Sequence, residues 1–291
     1  MPKFRWFYIF PAIPLYLIAL LPPFLLYGVS DVLRFLLFHV FSYRKQVVLD
    51  NLRNSFPDKD EKWIHQTAFH FYQNLVDTIL ETISLFAKSR SFYLRRFQFE
   101  QQNEVEQIMQ QYPSVILMCG HMANWEVAGQ SVHLSGVQMD VLYHPLSSKF
   151  FDWFMYHIRS RFGLYPIKMQ SVLRELLDRK NQSSVITFIA DQTPGPDGCL
   201  WMNFLNQDTP VFLGAEKLAK RFNYPVLYGA IYRHKRGYYS VKFEVISLDP
   251  QSMSDNVITE KYMHLLETDI IAHPETWLWS HKRWKHKRKA A

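Results

Sequence analysis

Ser114-Val-Ile-Leu-Met-Cys-Gly-His-Met-Ala-Asn-Trp-Glu126 is the stretch from which the fold can be read. Residues 115 to 119 are all apolar, a run short enough for one strand and continuous enough for a strand covered on both faces. Gly120 permits a sharp turn at the strand's carboxyl end, where open α/β sheets bind their ligands. His121 and Glu126 follow at once. On one continuous helix they would stand roughly 140° apart, too far round to touch. With Asn124 as the N-cap, His121 falls in the loop and Glu126 in the first helical turn, from which the carboxylate could reach back to the imidazole. A carboxylate on one ring nitrogen fixes the tautomer and leaves the other nitrogen as a general base.

Working outward, residues 138 to 143, 185 to 190 and 225 to 231 are further strand candidates, and residues 239 to 247 alternate like a half-exposed antiparallel edge. Helical patterns cover residues 44 to 56, stopped before Pro57, and run from Asp60 to about Phe86, from the His-x4-Glu turn to about Ser135, and near 255 to 272. Thr209-Pro210 reads as the N-cap and first position of a helix ending near Phe222. The alternation predicts an α/β fold, a mixed and mostly parallel sheet flanked by helices. At 291 residues the chain can bury such a core in one domain. The expected division is a membrane segment at 1–30 and a catalytic domain at 31–291, helical over 31–110 and α/β over 111–291.

Composition narrows the setting. Phe, Tyr and Trp make up 16% of the chain, which suits work against acyl chains or a membrane. Thirty-three basic against 26 acidic side chains leave +7, favouring anionic partners. Between Arg5 and Asp31 there is no charge, a length close to the roughly 20 residues that cross a bilayer. Pro11, Pro14, Pro22 and Pro23 weaken a single straight span, so a kinked or re-entrant hairpin competes with it. Arg34, Arg44, Lys45 and Arg53 after the segment favour a cytoplasmic body. Cys119 and Cys199 lack CxxC spacing, and no group of ligands has zinc spacing, so neither a disulfide framework nor a metal or other cofactor is indicated.

His-x4-Glu after an apolar strand resembles the signature of glycerolipid acyltransferases, within the lysophospholipid acyltransferase superfamily. Gly120-His-Met-Ala-Asn-Trp-Glu126 is more similar still to the late acyltransferases of lipid A biosynthesis. Tyr143-His-Pro145 before a helix ending in Arg159-Ser-Arg161, Asp191-Gln192 after a strand, and the closing Trp279-Ser-His-Lys-Arg-Trp-Lys285 extend the likeness over nearly the whole chain. The resemblance implies a glycerolipid acyltransferase-like fold. It also implies a fatty acyl thioester of acyl carrier protein or coenzyme A as donor, a lipid A precursor as acceptor, and the cytoplasmic side of the bacterial inner membrane as the place. His121 and Glu126 would be the catalytic dyad, with Asn124, Arg159, Arg161, Asp191 and Gln192 binding substrate.

Three other readings stand beside this one. The same site could acylate a lysophospholipid or an aminolipid. Cys119, two positions before His121 on one strand, could be a nucleophile with His121 as its base. The chain could also be a membrane-tethered lipid-binding protein without catalysis, using Lys282, Arg283, Lys285, Lys287, Arg288 and Lys289 with Trp277, Trp279 and Trp284. Nothing matches an RNA-binding signature, so nucleic acid is not an expected partner.

Overall fold

In a computed structural model, which describes residues 1–179, 182–195 and 198–288, the chain opens with helices α1 (Ile9–Leu20), α2 (Pro23–Phe35), α3 (Lys45–Ser55), α4 (Glu61–Ser84) and the short α5 (Arg90–Leu94). Then come β1 (Phe97–Phe99), α6 (Gln102–Gln111), β2 (Ser114–Cys119), α7 (Trp125–Leu134), β3 (Met139–Tyr143), α8 (Lys149–Ser160) and β4 (Tyr165–Lys168). The remainder is α9 (Val172–Asp178), β5 (Ser184–Ile189), a hairpin of β6 (Leu200–Phe204) and β7 (Gln207–Val211), α10 (Gly214–Phe222), β8 (Val226–Lys235), β9 (Tyr238–Ser247) and α11 (Val257–Ala272).

Seven strands form one sheet in the order β1-β9-β8-β2-β5-β3-β4, parallel except for the β8–β9 pair. All six residues of β2 are buried, as an apolar run between two parallel neighbours requires. Its side chains alternate between two cores. Ile116 and Met118 pack in one with residues of α3, α4, α10 and α11, while Val115, Leu117 and Cys119 pack in the other with Ala128 and Val132 of α7.

Several expectations need correction. The alternating segment at 239–247 is not an edge, because the three residues of β1 pair with β9 on its outer side. Thr209 and Pro210 do not cap a helix. They lie in β7, paired with Met202 and Trp201, and Leu205 and Asn206 turn the hairpin with positive φ values of 50° and 61°. No correction attaches to the uncharged N-terminal run, which forms two helices meeting at Leu21-Pro22-Pro23, where two of its four prolines lie, with α2 running to Phe35. The closing motif is mostly interior. Trp277, Trp279 and Arg283 are buried, so they are not a lipid-facing surface, and Lys289 lies outside the described residues, as do Pro196 and Asp197.

Candidate active site

Strand β2 delivers its chain end to the centre of the sheet's carboxyl edge. A Cβ on Gly120 would meet Leu266 Cδ1 at 2.5 Å and Asp191 Oδ2 at 3.5 Å, so the absence of a side chain is what lets the turn pack there. Beyond it, Ala123 takes a left-handed conformation (φ 49°), and α7 begins. One face of α4 holds this turn. Thr78 Oγ1 donates to the Ala123 carbonyl at 2.9 Å, and Asn74, one turn earlier, donates at 3.3 Å to the Thr276 carbonyl that also accepts from Ala123 N–H.

Asn124 is the N-cap expected from the sequence, accepting from Val127 N–H at 3.1 Å. Its amide donates to Glu81 Oε2 at 2.7 Å, and the side chain is fully buried. Glu81 also accepts from Tyr239 and Tyr27 at 2.6 and 2.8 Å. Burial raises its pKa in spite of those donors. Asn124 is thereby part of the frame at the start of α7 and does not line the cavity described below.

The carboxylate on His121 is not that of Glu126. Asp191 Oδ1 lies 2.5 Å from His121 Nδ1, and Asp191 Oδ2 accepts from His121 N–H and from Trp277 Nε1, both at 2.8 Å. Register explains the meeting: Cys119 pairs with Ile189 across β2 and β5, so His121 and Asp191 both stand two residues past a matched pair. Burial alone would raise the Asp191 pKa, but the imidazole's charge and the three hydrogen bonds outweigh it and bring it down to about 2. Asp191 therefore remains an anion. The other imidazole nitrogen, Nε2, is left toward Gln192, whose Nε2 is 3.3 Å away, and Trp125 lies edge-on against the ring with centroids 4.9 Å apart.

Glu126 belongs to a second pair. Arg159 grips it with two parallel bonds, Nε to Oε2 at 2.9 Å and Nη2 to Oε1, with side chains only 20% and 10% exposed. Burial opposes the Arg159 charge, yet Glu126 more than compensates and holds its pKa above the ordinary value. Arg161 goes elsewhere, onto the carbonyls of Leu85, Ala87 and Lys88 beyond the end of α4. Two positions apart on a helix point roughly 200° apart, so two arginines in this spacing cannot share one task.

His121, Glu126, Arg159 and Gln192 line one cavity of about 840 Å³. It continues between α7 and the sheet, where Leu117, Val132, Met139, Ile231, Val241 and Phe243 make its wall apolar. That volume lies within the range of ordinary ligand sites, and a polar end on an apolar chamber suits an amphipathic substrate with a reactive head. Cys119 lines it too, but burial pushes its thiol up to about 12, which disfavours a thiolate nucleophile.

Residues 2–286 match the family described as bacterial lipid A biosynthesis acyltransferase. The chain belongs to that family. A lipid A biosynthesis acyltransferase of Haemophilus influenzae is 21% identical over 233 residues, which is 79% of this chain and 72% of that protein. The chain is thus an acyltransferase of the lipid A biosynthesis family, and the residues its sequence offered fall into separate positions. His121, Gln192, Glu126 and Arg159 line the cavity and Asp191 is buried behind His121, whereas Asn124 and Arg161 bond to Glu81 and to the carbonyls after α4. Reading the sequence missed two partners, Trp277 on Asp191 and Glu81 on Asn124. The sequence signal for Trp277 was its place just before the closing motif; a Glu inside a long helix carried none.

Proposed function

We propose that this acyltransferase moves a fatty acyl chain from the thioester of acyl carrier protein, or of coenzyme A, to a hydroxyl of a lipid A precursor at the cytoplasmic face of the bacterial inner membrane. His121 is the general base, and Asp191 takes the orienting role first expected of Glu126. The observation that carries this reading is the Asp191–His121 hydrogen bond at the polar end of an apolar cavity.

In the reaction, His121 Nε2 takes the proton as the acceptor oxygen forms a bond to the thioester carbon. The anion of Asp191 stabilises the resulting imidazolium. Collapse of the tetrahedral intermediate breaks the C–S bond, and the imidazolium returns its proton to the leaving thiolate. Since Asn124 already caps Val127 N–H, the first-turn N–H groups of Trp125 and Glu126 are the ones that can meet the oxyanion. The Glu126–Arg159 pair lines the same cavity, and its guanidinium, with Lys217, is a cation placed to attract a phosphorylated acceptor or the phosphate of the donor's arm. The apolar chamber takes the acyl chain, at about 0.8 kcal/mol for each methylene removed from water.

Membrane attachment is supported by where apolar surface remains. Most of the large hydrophobic side chains left exposed lie within the first 43 residues, and Pro23–Val40 forms one helix of 18 residues long and apolar enough to cross a bilayer.

The test is turnover by the purified full-length protein in mixed micelles, with acyl carrier protein thioester and a lipid A precursor, read by mass spectrometry. The expected product carries one additional acyl ester. Acylation of a lysophospholipid but not of the glycolipid would replace the acceptor, and release of free fatty acid alone would refute transfer.

A further inference from the structure

We infer that the N-terminal helices lie along one leaflet without crossing the bilayer, and that the first turns of α8, with Leu146 just before them, complete the same lipid-facing surface. This rests on the membrane attachment proposed above. The reason is the number of places at which residues 4–34 are fastened to the catalytic body.

At the start, the Phe4 ring is 5.5 Å from Trp153, and the Tyr8 ring is 5.6 Å from both Phe150 and Trp153 of α8. At the bend, Lys88 Nζ donates to the carbonyls of Leu20 and Leu21 at 3.2 and 2.7 Å. Along α2, Tyr27 donates to Glu81 at 2.8 Å, Ser30 donates to Asp77 at 2.5 Å, Asp31 pairs with Arg236 at 2.9 Å, and Arg34 lies 4.2 Å over the Phe69 ring. Positions 27, 30, 31 and 34 share one helical face. That face occupies the middle of the segment long enough to span.

A spanning helix must place its centre in about 30 Å of hydrocarbon with its polar groups satisfied there. Here the satisfying groups are Asp77, Glu81 and Arg236 of the body, so α2 cannot cross without drawing those charges into lipid or giving up the bonds. The other face fits an in-plane role. Leu25, Val29 and Val32 stand opposite the fastened face of α2 and are exposed, as are Phe24 and Phe35 at its flank and Phe10 and Leu17 of α1, and the exposed Lys3 and Arg5 precede α1 while Arg44 precedes α3, where anionic headgroups would lie. The same apolar surface continues through Phe150 and Trp153 to Phe151 and Leu146, which are 49% and 48% exposed, and Leu146 also lines the cavity. The cavity therefore opens beside the leaflet, and a lipid acceptor reaches His121 from within it.

Single cysteines at Lys3, Leu20 and Ser252, all exposed, in the full chain with Cys119 and Cys199 replaced by alanine, test this in membrane vesicles of both orientations. A membrane-impermeant maleimide should label Lys3→Cys and Ser252→Cys from the same face, and should label Leu20→Cys from the opposite face in neither preparation. Labelling of Lys3→Cys or Leu20→Cys from the face opposite Ser252→Cys would overturn the in-plane arrangement while leaving membrane attachment intact. Failure of the protein to float with the vesicles at all would instead remove the attachment, and this inference with it. Phe151→Glu should lower the vesicle-bound fraction several-fold, whereas Leu248→Glu, of similar exposure, should not; equal binding would remove the start of α8 from the surface.

Discussion

Asp191 holds His121 by two bonds at once, one to the ring at Nδ1 and one to the backbone N–H of the same residue, from 70 positions further along the chain. This fixes both the tautomer and the place of the imidazole. Asp191→Asn keeps the shape but loses the charge that stabilises an imidazolium, and kcat should fall by roughly 10²- to 10⁴-fold with little change in KM. Steady-state kinetics on folded protein checks it. A variant with kcat close to wild type would assign Asp191 to structure alone.

Glu126 should respond differently, because its partner is Arg159. Glu126→Gln strands a largely buried guanidinium, a change on the order of 3 kcal/mol in stability, and the thermal midpoint should fall accordingly. Arg159→Ala should raise KM for the carrier donor or a phosphorylated acceptor more than it lowers kcat. The double variant Glu126→Gln/Arg159→Met should recover most of the lost midpoint without recovering KM. If both single variants kept wild-type kinetics, the pair would have no part in binding.

Acid should loosen the loop beneath the site. His281 Nε2 accepts from Thr193 N–H at 3.2 Å, which requires that nitrogen to be unprotonated, and burial lowers the His281 pKa from 6.5 to about 4. The unfolded chain therefore binds this proton first. The stability contributed by neutral His281 is present above about pH 6.5 and is lost as the pH falls toward 4. Asp191, depressed from 3.8 to about 2, acts in the same sense in a lower window, between about pH 4 and 2. Thermal midpoints should decline from pH 6.5 to 4 in the wild type and less steeply in His281→Gln. A flat wild-type profile over that range would contradict this.

Cys119→Ser should retain turnover within a few-fold, since burial holds the thiol protonated. Inactivation of the serine variant, at unchanged thermal midpoint, would revive the covalent alternative.

What the sequence discloses follows from which forces are local. Residues 115 to 119 and 185 to 190 announce themselves because a strand buried on both faces must be almost wholly apolar, Thr187 being the one polar residue of the two runs. Asn124 is legible as a cap because capping is settled within four residues. The partner of His121 is not legible, because it depends on the register of two strands far apart in the chain, and a first-turn Glu five positions on looks nearer. Once Arg159 arrives from α8, Glu126 is satisfied there. Thr209-Pro210 misleads for a similar reason, since a Thr-Pro pair suits a helix start but also suits a short hairpin strand with pairing on one side. The charged and aromatic closing motif suggests a surface by composition alone, yet its tryptophans and Arg283 fold inward.

Turnover by His121→Ala, measured as kcat with acyl carrier protein thioester and lipid A precursor alongside the thermal midpoint, bears most directly on general-base transfer at this site. The expected result is a loss of roughly 10²- to 10⁴-fold at a midpoint near wild type. Activity within a few-fold of wild type, or a loss only in proportion to unfolded protein, would show that His121 is not the base.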